Sequence, residues 1–92
     1  MTTSTATARV TITNKLGLHA RPAMSFVEVA SEHKSAVKVK KDHQTVDGKS
    51  IMQMMLLAAT QGTELEIIAE GCDAEVAIEA LCDLVKRGFD ED

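Results

Sequence analysis

The chain is predicted to fold as a two-layer α+β open-faced sandwich with its elements in the order βαββαβα. Two observations lead there. Four short segments alternate apolar and polar residues, the pattern of half-buried strands, and three others carry apolar stripes at helical spacing. A half-buried sheet has one apolar face to cover, and three amphipathic helices can cover it from one side.

The elements follow in order. Thr2 to Thr7 is a small polar lead-in, expected to fray. Residues 8–13 place Ala8, Val10 and Ile12 on one face and Arg9, Thr11 and Thr13 on the other, which predicts the first strand. Asn14 to Leu18 is a loop. The first helix is expected from about Ala20 to His33, with Pro22 in its first turn, where a missing N–H is no loss. Ala23, Met24, Phe26, Val27 and Ala30 recur along it, and Glu28 and Glu32 lie on its far side. Residues 36–41 alternate Val37 and Val39 with Lys38 and Lys40 as a second strand. A turn at Asp42-His43-Gln44 leads to a third strand over Gln44 to Val46.

Ser50 with Gln53 three residues later has capping-box spacing and starts the second helix, expected to end at Gln61-Gly62. The fourth strand spans about Glu64 to Glu70, with Leu65, Ile67 and Ala69 inward. Gly71 turns the chain, Asp73 is the expected N-cap of the third helix, and Ala77, Leu81, Leu84 and Val85 form its stripe. Asp90-Glu91-Asp92 reads as a solvated acidic run. The expectation is one domain over residues 1–92, with 1–7 and 89–92 as flexible ends.

Composition narrows the function. The chain has 92 residues, 45% of them hydrophobic, so one small core is affordable. With two phenylalanines and no other aromatics, that core must be aliphatic. A net charge of −4 argues against a nucleic-acid partner. No apolar run approaches the roughly 18 residues of a membrane helix, and Met1 to Thr7 lacks the regions of a signal peptide, so a cytoplasmic location is expected. Cys72 and Cys82 have no metal-type spacing; Cys82 is expected in the core and Cys72 exposed. No metal or cofactor is expected.

The chemistry concentrates in Gly17-Leu18-His19-Ala20-Arg21-Pro22-Ala23. His19 stands at a helix N-terminus, where unpaired backbone N–H groups and the Arg21 guanidinium suit an anion, and a phosphoryl group in particular. A neutral imidazole nitrogen is a good phosphoryl acceptor, and the N–P bond it forms is labile enough to pass the group on. Pro22 has no N–H to offer, which leaves those of Ala20 and Arg21, with Ala23 next in line. The competing reading is a histidine that merely caps its helix. His33 and His43 have no comparable setting and are expected on the surface.

Ser50 caps the second helix in any reading, and a phosphate on its hydroxyl would be electrostatically welcome there. That helix carries Ile51, Met52, Met54, Met55, Leu56 and Leu57, more apolar side chains than so short a helix can bury. Methionine suits a surface that accepts several partners, although Met54 is expected in the core.

These residues resemble the histidine-containing phosphocarrier family HPr of the bacterial phosphotransferase system. Two motifs in register carry the resemblance, the heptapeptide around His19 and Gly48-Lys49-Ser50-Ile51-Met52, and it covers roughly residues 8 to 88. It implies a four-stranded antiparallel sheet in the order 1-4-2-3, an order that periodicity alone does not give. It implies that His19 is phosphorylated on Nδ1 by phosphorylated enzyme I, with Arg21 stabilising the group, and that the group passes to an enzyme IIA component. It implies an exposed patch of Ile51, Met52 and Met55 near the histidine, rimmed by Lys49 and Arg21. It further implies Ser50 as a regulatory site for HPr kinase/phosphorylase, with a transcription regulator downstream in some bacteria. A monomer is expected, since His19 must face two partners. The chain departs from familiar members at Glu28 and Ser31, where lysines are common, and at Gln53 and Ala58, where a glycine is common. These departures leave the chemistry alone and bear on partner choice.

Two alternatives stand beside the carrier. One is a mainly regulatory protein of the same fold, acting through Ser50 phosphorylation, a role that would not need His19, or in nitrogen-branch phosphotransferase signalling. The other is a small-molecule sensor, which would need a closed apolar pocket that the short loops do not suggest.

Overall fold

The computed structural model describes residues 4–91. Its elements are β1 (Ser4–Thr11), α1 (Ala20–Ser31), β2 (Ala36–Lys41), β3 (Gln44–Asp47), α2 (Ile51–Leu56), β4 (Glu64–Gly71) and α3 (Ala74–Lys86), followed by a short 3-10 turn at Gly88–Asp90. The four strands form one antiparallel sheet in the order β1-β4-β2-β3. With the three helices this is the α+β open-faced sandwich, βαββαβα, that the alternation of apolar residues predicts.

The core lies between the layers. Val10, Val37, Val39, Val46, Leu65, Ile67 and Ala69 are buried from the sheet. Ala23, Phe26 and Ala30 of α1, Met54 of α2, and Ala77, Ile78, Leu81, Leu84 and Val85 of α3 meet them. The other side of the sheet keeps its charges in water, with Lys38 and Lys40 of β2 exposed. Cys82 is half-buried at the margin of the core rather than inside it, and burial raises its thiol pKa; Cys72 is exposed.

Four features differ from the sequence reading, each for a physical reason. β1 begins at Ser4, because residues 4–7 pair with residues 68–71 of β4, a partner remote in sequence. The expected fraying of Thr2 and Thr3 lies outside the described residues. α2 ends at Leu56, short of Gln61, because Ala58 takes a left-handed φ of 49°. That break lets Leu57 and Ala59 turn inward, and Lys41 Nζ caps the Leu57 carbonyl at 2.8 Å.

Asp73 stands at the N-cap position of α3 but makes no side-chain cap bond. Its carboxylate instead accepts the N–H of Lys34 and of Ser35, both at 2.9 Å, and the Ser35 hydroxyl. Those bonds, the hydroxyl's first, lower its pKa to about 2. Lastly, the chain after α3 makes a short 3-10 turn at Gly88–Asp90, where the sequence pattern suggests no element. Gly88, Phe89 and Asp90 all take left-handed φ angles, which folds the buried Phe89 ring back onto the core. Residue 92 is outside the description.

Candidate functional site

His19 is the N-cap residue of α1, in extended conformation at φ −73° and ψ −172°. Its ring makes no capping bond to the helix. Its carbonyl accepts the Ala23 N–H at 3.0 Å, so Ala23 is spoken for and is not an anion donor. Ala20 and Arg21 occupy the first turn, whose N–H groups have no acceptor within the helix. Pro22 is buried beside them. Arg21 is exposed, and its charge acts on Glu91.

The loop before α1 is fixed by a close approach. The Leu18 N–H donates to the Ala59 carbonyl at 2.8 Å, and a Cβ on Gly17 would overlap that same carbonyl oxygen. Gly17 also has a φ of +68°, which glycine adopts without penalty. Asn14, 3% exposed, closes the loop by donating from Nδ2 to the Gly17 carbonyl at 2.7 Å.

The contact that sequence reading missed comes from the chain end. Both carboxylate oxygens of Glu91 lie 3.0 Å from His19 Nε2, and Asn14 Nδ2 donates a second bond to Glu91 Oε1 at 3.0 Å. A carboxylate only accepts, so Nε2 carries the proton. Nδ1 is left with no hydrogen-bond partner among the described residues. Glu91, read from sequence as part of a solvated run, is largely covered, and the His19 bond, then the Asn14 bond, holds its carboxyl below its ordinary pKa. Nothing local signals this contact, because the partners are 72 residues apart.

Ser50 is the N-cap of α2, and its hydroxyl accepts the Gln53 N–H at 3.2 Å. The Gln53 side chain reaches back to the Asp47 N–H rather than to Ser50, so the box closes on the neighbouring turn. Ile51, Met52 and Met55 are exposed, and so are Leu56 on the same helix, Leu16 before α1 and Met24 on it. Met54 is fully buried, as expected. Lys49, expected on the rim, is half-buried and ties its Nζ to the His33 carbonyl at 2.8 Å. His33 is half-buried rather than solvated, with Nδ1 against the Val29 carbonyl; His43 is exposed.

Among the described residues, no group of three or more His, Cys, Asp and Glu could hold a metal ion. No helix among them is long and apolar enough to cross a membrane.

Residues 6–87 match the family pattern described as "PTS HPr component phosphorylation site". The chain is 48% identical over 82 residues to the phosphocarrier protein HPr of Neisseria meningitidis, covering 89% of this chain and 92% of the relative. To the phosphocarrier protein HPr of Pseudomonas aeruginosa it is 48% identical over 83 residues, covering 89% and 92%. A solved structure of HPr from Thermoanaerobacter tengcongensis superposes with a TM-score of 0.91 at 46% identity, over 95% of this chain and 98% of that one. Fold, motifs and relatives agree that the chain belongs to the HPr phosphocarrier family of the phosphotransferase system.

Proposed function

We propose that this chain carries a phosphoryl group on Nδ1 of His19. It takes the group from phosphorylated enzyme I, itself charged by phosphoenolpyruvate, and gives it to a histidine of an enzyme IIA component. One observation supports this above the others: the His19 ring does not cap its helix, and its Nε2 is engaged by Glu91, so the remaining nitrogen is the nucleophile. The first-turn N–H groups of Ala20 and Arg21 and the Arg21 guanidinium then share the phosphoryl charge. Ile51, Met52 and Met55 are the docking patch, with Leu56 beside them and the exposed Arg21 on its rim. The protein acts as a monomer in the cytoplasm, meeting its two partners in turn.

Phosphorylation of Ser50 is the regulatory part of the same proposal. Its hydroxyl is partly exposed and already faces the N-terminus of α2. The modification would put negative charge beside the docking patch and weaken exchange with enzyme I. Incubation with HPr kinase/phosphorylase and ATP should modify the wild type and not Ser50→Ala.

Intact mass after incubation with phosphoenolpyruvate and enzyme I tests the carrier role. The wild type should gain one acid-labile phosphoryl group and a folded His19→Ala variant none. Equal acceptance by both would reject His19 as the carrier.

A further inference from the structure

We propose that Glu91 is a positioning residue for phosphoryl transfer: its carboxylate keeps the proton on Nε2 of His19 before, during and after the exchange at Nδ1. The inference rests on the carrier reading above and goes beyond it, since neither motif around His19 or Ser50 includes Glu91 or Asn14.

The geometry is built rather than incidental. Glu91 presents both oxygens to one ring nitrogen at 3.0 Å, which fixes the tautomer of the ring. Asn14 holds Glu91 in turn. Asn14 is 3% exposed and its Oδ1 is buried with no hydrogen-bond partner among the described residues, so the buried amide serves through its Nδ2, on Gly17 and Glu91. The left-handed turn at Gly88, Phe89 and Asp90 returns the chain to this point, with Phe89 buried beneath it. The charged groups set against the carboxylate are His19 and Arg21.

The electron count shows what the carboxylate does. The Nδ1 lone pair attacks phosphorus, the N–P bond forms, and the donor leaves with the electron pair of its own bond to phosphorus. The proton stays on Nε2, so the ring becomes cationic, and Glu91 balances that charge where it arises. On discharge the N–P electron pair returns to Nδ1 and the ring leaves neutral. No proton has to move in either direction. Without the carboxylate the phosphorylated ring sheds its Nε2 proton more readily, and the deprotonated ring is the poorer leaving group.

Two readouts test this, with Glu91→Ala and Glu91→Gln beside the wild type. The first needs no phosphate. Nitrogen NMR of His19 at about pH 8 should show Nε2 protonated and Nδ1 bare in the wild type. The two signals should move toward each other in Glu91→Ala. The second is spontaneous hydrolysis of the phosphorylated protein. At about pH 8 both variants should hydrolyse slower than wild type, by on the order of tenfold, and at about pH 5 all three should agree, because acid then supplies the Nε2 proton with or without the carboxylate. A purely structural role for the tail would change the rate at both pH values. Unchanged NMR signals in Glu91→Ala, or equal hydrolysis near pH 8, would overturn the proposal. A wild type that accepts no phosphoryl group would instead overturn the carrier reading, and the NMR result would still judge Glu91.

Discussion

Replacing Gly17 with alanine should loosen the loop that carries His19, by an amount that can be worked out. A side chain in the left-handed region costs about 1–2 kcal/mol. Alanine recovers about 0.4–1 kcal/mol by restricting the unfolded chain. The added Cβ overlaps the Ala59 carbonyl, which the Leu18 N–H holds at 2.8 Å, so that bond must stretch or break, at about 1 kcal/mol. The net loss is about 2 kcal/mol, or a fall in Tm of about 8–16 °C for a domain of this size. Urea unfolding followed by circular dichroism measures it. Gly62→Ala is the internal control: its φ is also positive, at +91°, but none of the described residues lies within 4 Å of the added methyl, so the backbone there can relax. That variant should lose about 1 kcal/mol, the conformational part alone. The reasoning fails if Gly17→Ala is within about 0.5 kcal/mol of wild type, or is no worse than Gly62→Ala.

Three further outcomes follow from the packing and the electrostatics. Met54→Ala should cost about 2–5 kcal/mol in urea unfolding, while Met52→Ala, at a position 79% exposed, should stay within about 0.5 kcal/mol of wild type; any loss by Met52→Ala should show in partner binding instead. Ser50→Ala should cost about 1 kcal/mol, the value of the cap on the Gln53 N–H. Asp73 has its pKa lowered from 3.8 to about 2, so its contribution to stability is present above the ordinary value and is lost as pH falls through the folded one. The stability gap between wild type and Asp73→Asn should therefore be full near neutrality and close between about pH 4 and pH 2, followed by urea midpoints across that range.

The strands were legible because Val37, Val39, Leu65, Ile67 and Ala69 repeat at period two and all are buried. The stripe of α3 was legible for the equivalent reason at helical spacing. What stayed hidden depends on contacts between distant parts of the chain. Residues 4–7 are threonine, serine and alanine, with little apolar signal of their own, and become a strand only because β4 offers a ladder. The sheet order is a property of those pairings, so it was available only through resemblance to a known family. Asp73 looks like a cap by position, yet its oxygens go to Lys34 and Ser35, just before β2. The site divides in the same way. His19 and Arg21 sit in one motif and could be read together, while Glu91 and Asn14 reach the ring from a chain end and a loop.

The position of β4 has a consequence for how the chain is made. Among the described residues, β4 is the only strand paired to two others across a long separation, since it joins β1 on one side and β2 on the other. Thr11 must wait for Glu64, and Ser4 for Gly71, before either has a partner. At a synthesis rate of about 5–20 residues per second, β1 spends roughly 3 to 13 s outside the ribosome as an unpaired strand. During that interval the β2–β3 hairpin, α1 and α2 can form locally, and together they still lack the strand that completes the core. Folding is therefore expected to be a late, concerted event triggered by the arrival of one segment. A chain stopped before Glu64 should behave as an unfolded polymer rather than as a smaller version of the domain.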